Sequence, residues 1–360
     1  MPESRVNARS DATAGGTRKK SPPRQHAAGL DSAIKLFEQA ARTVPLPAAP
    51  YPIVIADYGA GSGHNSMRPI AAAVAALRGR TRPAQCVLVT HTDTAENDFT
   101  TMFRGLAEDP ESYLRKDSAT FTSAVGRSFY TQILPSNAVH LGWSAWALVR
   151  LGTVPMPIGD HIAVAYSGDD RTRAAYARQA AHDWHEFVAF RGRELSPGGR
   201  LVVMTMALGD DGDFGYRPLF DAVMDTLQEL VAERVVSADE VKRMTLPIVG
   251  RRAADFAAPF APSGRFEKLS ISHLEVFDAE DVIFGQYRKD KNADAFGTRW
   301  ADFCRFTALD DLADALGDDP ERRLQFFERM HAGIAARLAA APEQMRIPVA
   351  QLVLEKRQSG

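Results

Sequence analysis

Apolar positions along the chain fall into short unbroken runs, separated by longer stretches in which they recur every three or four residues. Ile53-Val54-Ile55-Ala56, Cys86-Val87-Leu88-Val89, Ala138 to Leu141 and Leu201-Val202-Val203-Met204 are the short runs. Apolar runs of this length predict strands buried on both faces. Between them lie helical patterns. Ile34, Phe37, Ala41 and Val44 follow Asp31-Ser32, either of which can cap a helix. Arg68 to Leu77 is alanine-rich. Asn97 to Leu106, Trp143 to Leu151 and Thr172 to Arg193 also read as helices. Pro45 to Pro52, Gly59 to Gly63 and Ser196-Pro197-Gly198-Gly199 are turns. Lys268 to Phe277 alternates as a strand near a sheet edge does, and Ile347 to Leu354 is the last strand. Strands and helices taking turns predict an α/β fold, a doubly wound and mainly parallel sheet with helices on both faces.

This pattern divides the chain. Residues 1–27 carry six basic and two acidic residues with few apolar ones, so they are expected to form a disordered basic tail. Residues 28–209 form the α/β core. Residues 210–345 form a largely helical cap over the strand ends, with a returning strand near 268–277. Residues 346–360 carry the last core strand and the C-terminus.

Composition narrows the function classes. The net charge is -2 with 24% charged residues, so no basic excess points to nucleic acid. Two cysteines, Cys86 and Cys304, make no disulfide framework and suit a reducing cytoplasm. No apolar run reaches the roughly 20 residues of a membrane helix, and no apolar segment near Met1 reads as a secretory signal.

The candidate chemistry sits where the first strand ends. In Asp57-Tyr58-Gly59-Ala60-Gly61-Ser62-Gly63 three glycines alternate, letting the backbone approach a ligand closely. Open α/β sheets bind ligands at the carboxyl ends of strands. A P-loop would continue with Gly-Lys-Ser/Thr, but His64-Asn65-Ser66 follows. The dinucleotide fingerprint needs its third glycine one residue later, and Asp57 would repel a pyrophosphate. S-adenosylmethionine fits better, because it carries an ammonium and a sulfonium and no phosphate. Asp93, at the end of the second strand, can accept hydrogen bonds from both ribose hydroxyls. The alternative is a tight turn with no ligand.

Four stretches, taken together, resemble the SABATH methyltransferases, the plant salicylate, benzoate and jasmonate carboxyl methyltransferases and their relatives. They are Ile55 to Asn65; Asn97-Asp98-Phe99; Ser128-Phe129-Tyr130 running through Leu134-Pro135-Ser136-Asn137 to Val154-Pro155; and Glu194 to Arg200. Ser272-His273-Leu274-Glu275 resembles the family's late strand. The resemblance covers roughly residues 30–357. It implies a class I methyltransferase fold of Rossmann-like type, S-adenosylmethionine as cofactor, and a small-molecule carboxylate as methyl acceptor. Ser32, Asp57, Gly59 and Asn65 would surround the methionine part, and Gly61 would belong to the same cofactor site. Asp93 would hold the ribose, Thr94 would stand beside the adenosine, and Ser128 and Phe129 would flank the adenine.

The family's substrate residues differ here. The resemblance places Lys35 and Arg150 where the family carries a glutamine and a tryptophan that bind the carboxylate. Trp146 and Val149 are expected on the pocket wall, and Lys20 at a family lysine. The stretch where some members bind magnesium reads Lys242 to Pro247, with a lysine at the acidic position, so no metal is expected. Asp98 is expected to cap a helix, His140 to be a satisfied core histidine, and His182 and His185 to be structural. A carboxylate is already ionised at pH 7, so catalysis is expected to rest on orientation without an acid–base residue. The alternatives are N- or O-methylation of a neutral molecule on the same scaffold, and a non-catalytic ligand-binding protein. A homodimer is the candidate assembly.

Overall fold

A computed structural model describes residues 29–261 and 263–358; the basic tail and Lys20 lie outside them. Seven strands in the described residues form one sheet. They are β1 (Ile53–Tyr58), β2 (Val87–Asp93), β3 (Thr120–Gly126), β4 (Val139–Ala145), β5 (Leu195–Met206), β6 (Leu269–Asp278) and β7 (Pro348–Lys356). The order across the sheet is β3-β2-β1-β4-β5-β7-β6. Neighbours from β3 to β5 are parallel. β7 runs antiparallel to both β5 and β6. The chain steps outward from β1 to β3 and then crosses to β4 on the other side of β1. That switch point opens a crevice at the strands' carboxyl ends.

Alternation along the central strands sorts side chains to two faces. Val202, Met204, Val349 and Val353 join one core, with Ala33, Ile34 and Phe37 of α1 (Leu30–Thr43) and Ile70 and Val74 of α2 (His64–Arg78). Leu201, Val203, Ala350, Leu352 and Leu354 join the other, with Trp184, Phe187 and Val188 of α5. Helix α5 (Asp170–Glu194) starts where the Asp169 carboxylate accepts from the backbone of Arg171 and Thr172. α3 (Phe99–Glu108) and α4 (Tyr113–Lys116) lie between β2 and β3.

A largely helical layer comprises α6 (Arg217–Ala232), α7 (Ala238–Arg243), α9 (Val282–Asp290), α10 (Ala293–Thr307), α11 (Leu309–Ala313) and α12 (Pro320–Ala340), called the cap below, whereas α8 (Ala253–Ala257) puts Phe256 into the sheet's core against Trp184. α10 and α12 cross closely at Gly297, where a Cβ would stand 2.1 Å from Ala335 O. His331 of α12 meets the Asp302 carboxylate of α10 at 2.9 Å.

Four expectations need correction. Trp143 to Leu151 is no helix: Trp143, Ser144 and Ala145 belong to β4, and Trp146 adopts φ 63°, which breaks the run. Ser196 to Gly199 is not a free turn but a bulge within β5: Val139 pairs with Leu195, and Leu141 pairs next with Arg200. Neither Asp31 nor Ser32 caps α1; its N-cap is Gly29, and Ser32 Oγ donates back to Gly29 O. β3 is a strand that no apolar run announced.

Candidate active site

The glycine loop sits at the switch point. Gly59 N and Ala60 N both donate to Thr92 O, at 2.9 and 3.0 Å. Gly59 has φ 82°, and a Cβ there would stand 2.2 Å from the Ala147 Cβ, so only glycine lets the loop pack on that segment. Gly61 differs. It has φ 52° and nothing within 4 Å of an added Cβ, so its face is open. Asp93 Oδ2 accepts from Gly61 N at 2.7 Å, and Asn97 Nδ2 donates to Gly61 O at 2.9 Å. Asp93 Oδ1 accepts from Thr94 N at 2.8 Å. The open face therefore carries a left-handed glycine, a half-buried acid and, just beyond it, exposed Thr94. An adenosine moiety needs such a face: a flat approach and an acid for vicinal hydroxyls.

Asp57 is nearly sealed, at 1% exposure. Its Oδ2 accepts from His91 Nδ1 at 2.7 Å, a pairing set by the register of β1 on β2. His91 Nε2 lies 2.7 Å from the Tyr113 hydroxyl, which is also 3.1 Å from Thr122 Oγ1. Burial pushes the Tyr113 hydroxyl well above its usual pKa. The chain fixes the orientation of the Asp57 carboxylate under the loop. His91 and Tyr113 were missed by sequence reasoning, since each looks like an ordinary strand or helix residue.

The Ser128–Pro135 loop is pinned from below. Arg191 and Glu194, both wholly buried, pair at 2.9 Å. Arg191 donates to Phe129 O at 2.7 Å and Thr131 O at 3.0 Å. Glu194 accepts from Ile133 N, Leu134 N and the Tyr58 hydroxyl. The Arg191 guanidinium also lies over the Tyr58 ring at 4.3 Å. The Phe129 ring meets Phe187 edge-on at 5.8 Å, and its Cε1 lies 3.3 Å from a Cβ built on Gly59. Ser128 is exposed beside it. Ser128, Phe129 and the glycine loop thus share one rim. Arg191, one of two arginines in the last turn of α5, gave no signal in sequence.

Beyond the loop, Trp146 to Arg150 turns toward the cap. Arg150 forms a bridge with Ile248, and Leu151 N donates to Pro247 O at 2.8 Å. A cavity of about 260 Å³ opens here between core and cap. Trp146, Val149 and Arg150 line it from the core, and aromatic or aliphatic residues such as Phe214, Leu219, Phe220, Leu246 and Phe303 line it from the cap. Arg150 is the charged side chain among its described lining residues. Its guanidinium is held by both oxygens of Asp311, at 2.9 and 2.7 Å, and that pairing raises its pKa. A space of about 20 Å³ adjoins the cavity across Trp146, with Glu280 and Asp281 on its far side. Asp281 accepts from the backbone of Ile283, Phe284 and Met345.

The remaining expectations separate. Ser32 Oγ accepts from the buried Gln351 side chain at 2.6 Å, so it is positioned from β7. Asn65 lies half-buried in the first turn of α2. Lys35 stands apart from Arg150. It falls on the exposed side of α1, because 30, 33, 34, 37, 40 and 41 take the buried face, and it is not among the residues lining the cavity. Asp98 caps α3 through Thr101 N. His140 Nδ1 accepts from Val54 N at 3.0 Å, and burial lowers its pKa. His185 contacts Glu186 and Phe266. Lys242 pairs with Asp239 on the surface, while Leu246 of the same stretch faces the cavity. None of the described helices is long and apolar enough to cross a membrane.

Comparisons with known proteins agree with this layout. The sequence profile described as "SAM dependent carboxyl methyltransferase" matches residues 18–357. Gibberellic acid methyltransferase 1 of Arabidopsis thaliana is 26% identical over 306 residues, covering 78% of this chain and 79% of that protein. Methyltransferase FUS9 of Gibberella moniliformis is 28% identical over 233 residues, 64% of this chain. The chain spans 61% of the length of that fungal relative. The solved structure of a loganic acid methyltransferase with SAH is 20% identical, with a TM-score of 0.73 over 93% of this chain and 95% of that one. It shows the same fold.

Proposed function

The chain belongs to the family of S-adenosylmethionine-dependent carboxyl methyltransferases, and from that premise we propose that it methylates the carboxylate of a small molecule, giving a methyl ester and S-adenosylhomocysteine. One observation carries the reading: the segment that walls the apolar cavity is the segment on which the glycine loop packs. Ala147 abuts Gly59, while Trp146, Val149 and Arg150, in the same stretch, face the cavity. A ligand on the loop and an acceptor in the cavity would therefore meet near Trp146.

S-adenosylmethionine supplies, when bound, a methyl group on a cationic sulfur. Gly59, Gly61, Ser32, Asn65 and the Asp57 carboxylate would hold its methionine end. Asp93 would take the ribose, with Thr94, Ser128 and Phe129 around the adenosine. Asp57 suits an ammonium because His91 occupies one of its oxygens and fixes the other. The acceptor's carboxylate is ionised at neutral pH, its pKa being about 4. It needs no base, and no Asp, Glu or His is among the described residues lining the cavity. The chain's contribution is orientation and exclusion of water by the apolar walls. Arg150 is the cation at hand for the anion. The cavity itself offers no lining base to a hydroxyl or amine acceptor, while Glu280 and Asp281 line only the small adjoining space.

The test uses methyl-labelled cofactor and a panel in which each apolar acid is matched with its amide, alcohol and amine. Acids should be labelled and the matched neutral compounds should not. Labelling confined to alcohols or amines would overturn the carboxyl reading and leave the cofactor site standing.

A further inference from the structure

The large cavity poses a problem of charge that its walls do not solve. An anion placed among aromatic and aliphatic side chains costs several kcal/mol unless a cation meets it. Arg150 is the lining cation, yet its fork is already filled by Asp311 through two short bonds. The other polar lining groups, on Trp146, Tyr216, Cys304 and Thr307, carry no charge to meet the anion. Thr307 Oγ1 donates to Phe303 O within its own helix. Burial pushes the Cys304 thiol up to about 12, so it stays neutral.

The pair is built to open. Asp311 rides on α11, whose Leu309, Leu312 and Ala313 are fully buried and fix the short helix against the core. Its own side chain keeps 22% exposure, and the Arg150 side chain keeps 46%. Neither side chain is sealed, so parting them strands no fully buried charge. The carboxylate that Asp311 offers has the same planar two-oxygen geometry as an acceptor's carboxylate, which a guanidinium binds through two parallel bonds. The neighbouring Asp310 is engaged elsewhere, 3.2 Å from Arg305.

Resting on the carboxyl-methyltransferase reading, we infer that Asp311 is an internal stand-in for the acceptor. It occupies the Arg150 fork, and an acid with an apolar, unhydroxylated body displaces it. Asp311 thereby sets a threshold. Only molecules that combine a carboxylate for Arg150 with enough apolar surface for the cavity repay the exchange. Compounds with hydroxyls along the body would leave them unpaired against the walls.

The experiment is calorimetric titration of 4-phenylbutyrate, and of its uncharged amide, into protein saturated with S-adenosylhomocysteine. Asp311→Asn should tighten acid binding about tenfold or more, the scale of a hydrogen bond to a charged group. Amide binding should not change. Arg150→Ala should weaken the acid, and in that background Asp311→Asn should have no further effect. The last arm separates competition for one guanidinium from a general field effect, which would persist without Arg150. Asp311→Ser repeats the test should the asparagine variant melt early. Weaker or unchanged acid binding in folded Asp311 variants overturns the inference, as does failure of 4-phenylbutyrate to bind any variant. Because binding is read without turnover, tightened binding with no labelled ester would sink the transfer reading and leave the exchange intact.

Discussion

Single residues decide the site through the groups they orient. Asp93 joins the loop to β2 by accepting from Gly61 N and Thr94 N. Asp93→Ala should weaken S-adenosylhomocysteine by about 1.5–3 kcal/mol in calorimetry, the usual worth of hydrogen bonds to a charged group. Unchanged affinity would remove Asp93 from the cofactor site. Arg191 carries the opposite emphasis, stability before binding. Removing one partner of a buried ion pair leaves an uncompensated charge and costs about 3–5 kcal/mol. Arg191→Ala should lose about that much in denaturant unfolding, since it also strands the Phe129 and Thr131 carbonyls. A loss under 1 kcal/mol would mean that Glu194 finds other partners. That the glycines, Asp57 and Asp93 lie at the carboxyl ends of β1 and β2 could be read from sequence, because backbone conformation and apolar runs are local properties. His91, Tyr113, Arg191 and Asp311 could not. Their roles come from partners 34, 22, 62 and 161 positions away, which only the fold brings near.

At the scale of elements, periodicity located the strands and helices that bury a full face, and failed where burial is partial. β3 reads Thr-Phe-Thr-Ser-Ala-Val-Gly and leaves Phe121 exposed at the sheet edge, so it carries no apolar run. Trp143 to Leu151 has helical apolar spacing, but a short apolar run cannot tell a helix from a buried strand. The sheet takes Trp143, and the left-handed Trp146 ends any continuation. Helix crossings were equally silent in sequence. Gly297→Ala should cost about 1–3 kcal/mol by overpacking, because Ala335 O stands where the new methyl would go. A neutral effect on thermal unfolding would show that α10 and α12 can separate. The join of α7 to α12 predicts a pH dependence. Arg322 and the Ser237 cap hold the Glu240 carboxyl down to about 2. A depressed carboxyl contributes stability above its unfolded pKa, near 4.5, that is lost as pH falls toward about 2. Wild type should therefore exceed Glu240→Gln in stability at pH 7, with the gap closing between about pH 4.5 and 2. A gap that persists at the acid end would assign it to packing.

At the scale of the whole molecule, a Rossmann-like core carries the glycine-loop crevice and the segments after β5 line most of the apolar cavity. The two meet at the stretch from Trp146 to Arg150, which touches Gly59 on one side and Ile248 on the other. The core half was legible because its loops follow strands. The cap half was not, because its cavity residues lie on several separate elements between 214 and 308. The account's central claim is that loop and cavity form one site in which a sulfonium methyl meets a carboxylate. A crystal structure with S-adenosylhomocysteine and an apolar carboxylic acid tests it most directly. The sulfur should face the cavity beside Trp146, with the acid's carboxylate between it and Arg150 and the apolar body among Phe220, Leu246 and Phe303. An acid bound with its carboxylate turned to solvent, or a cofactor that leaves Asp93 and Gly61 untouched, would contradict the account.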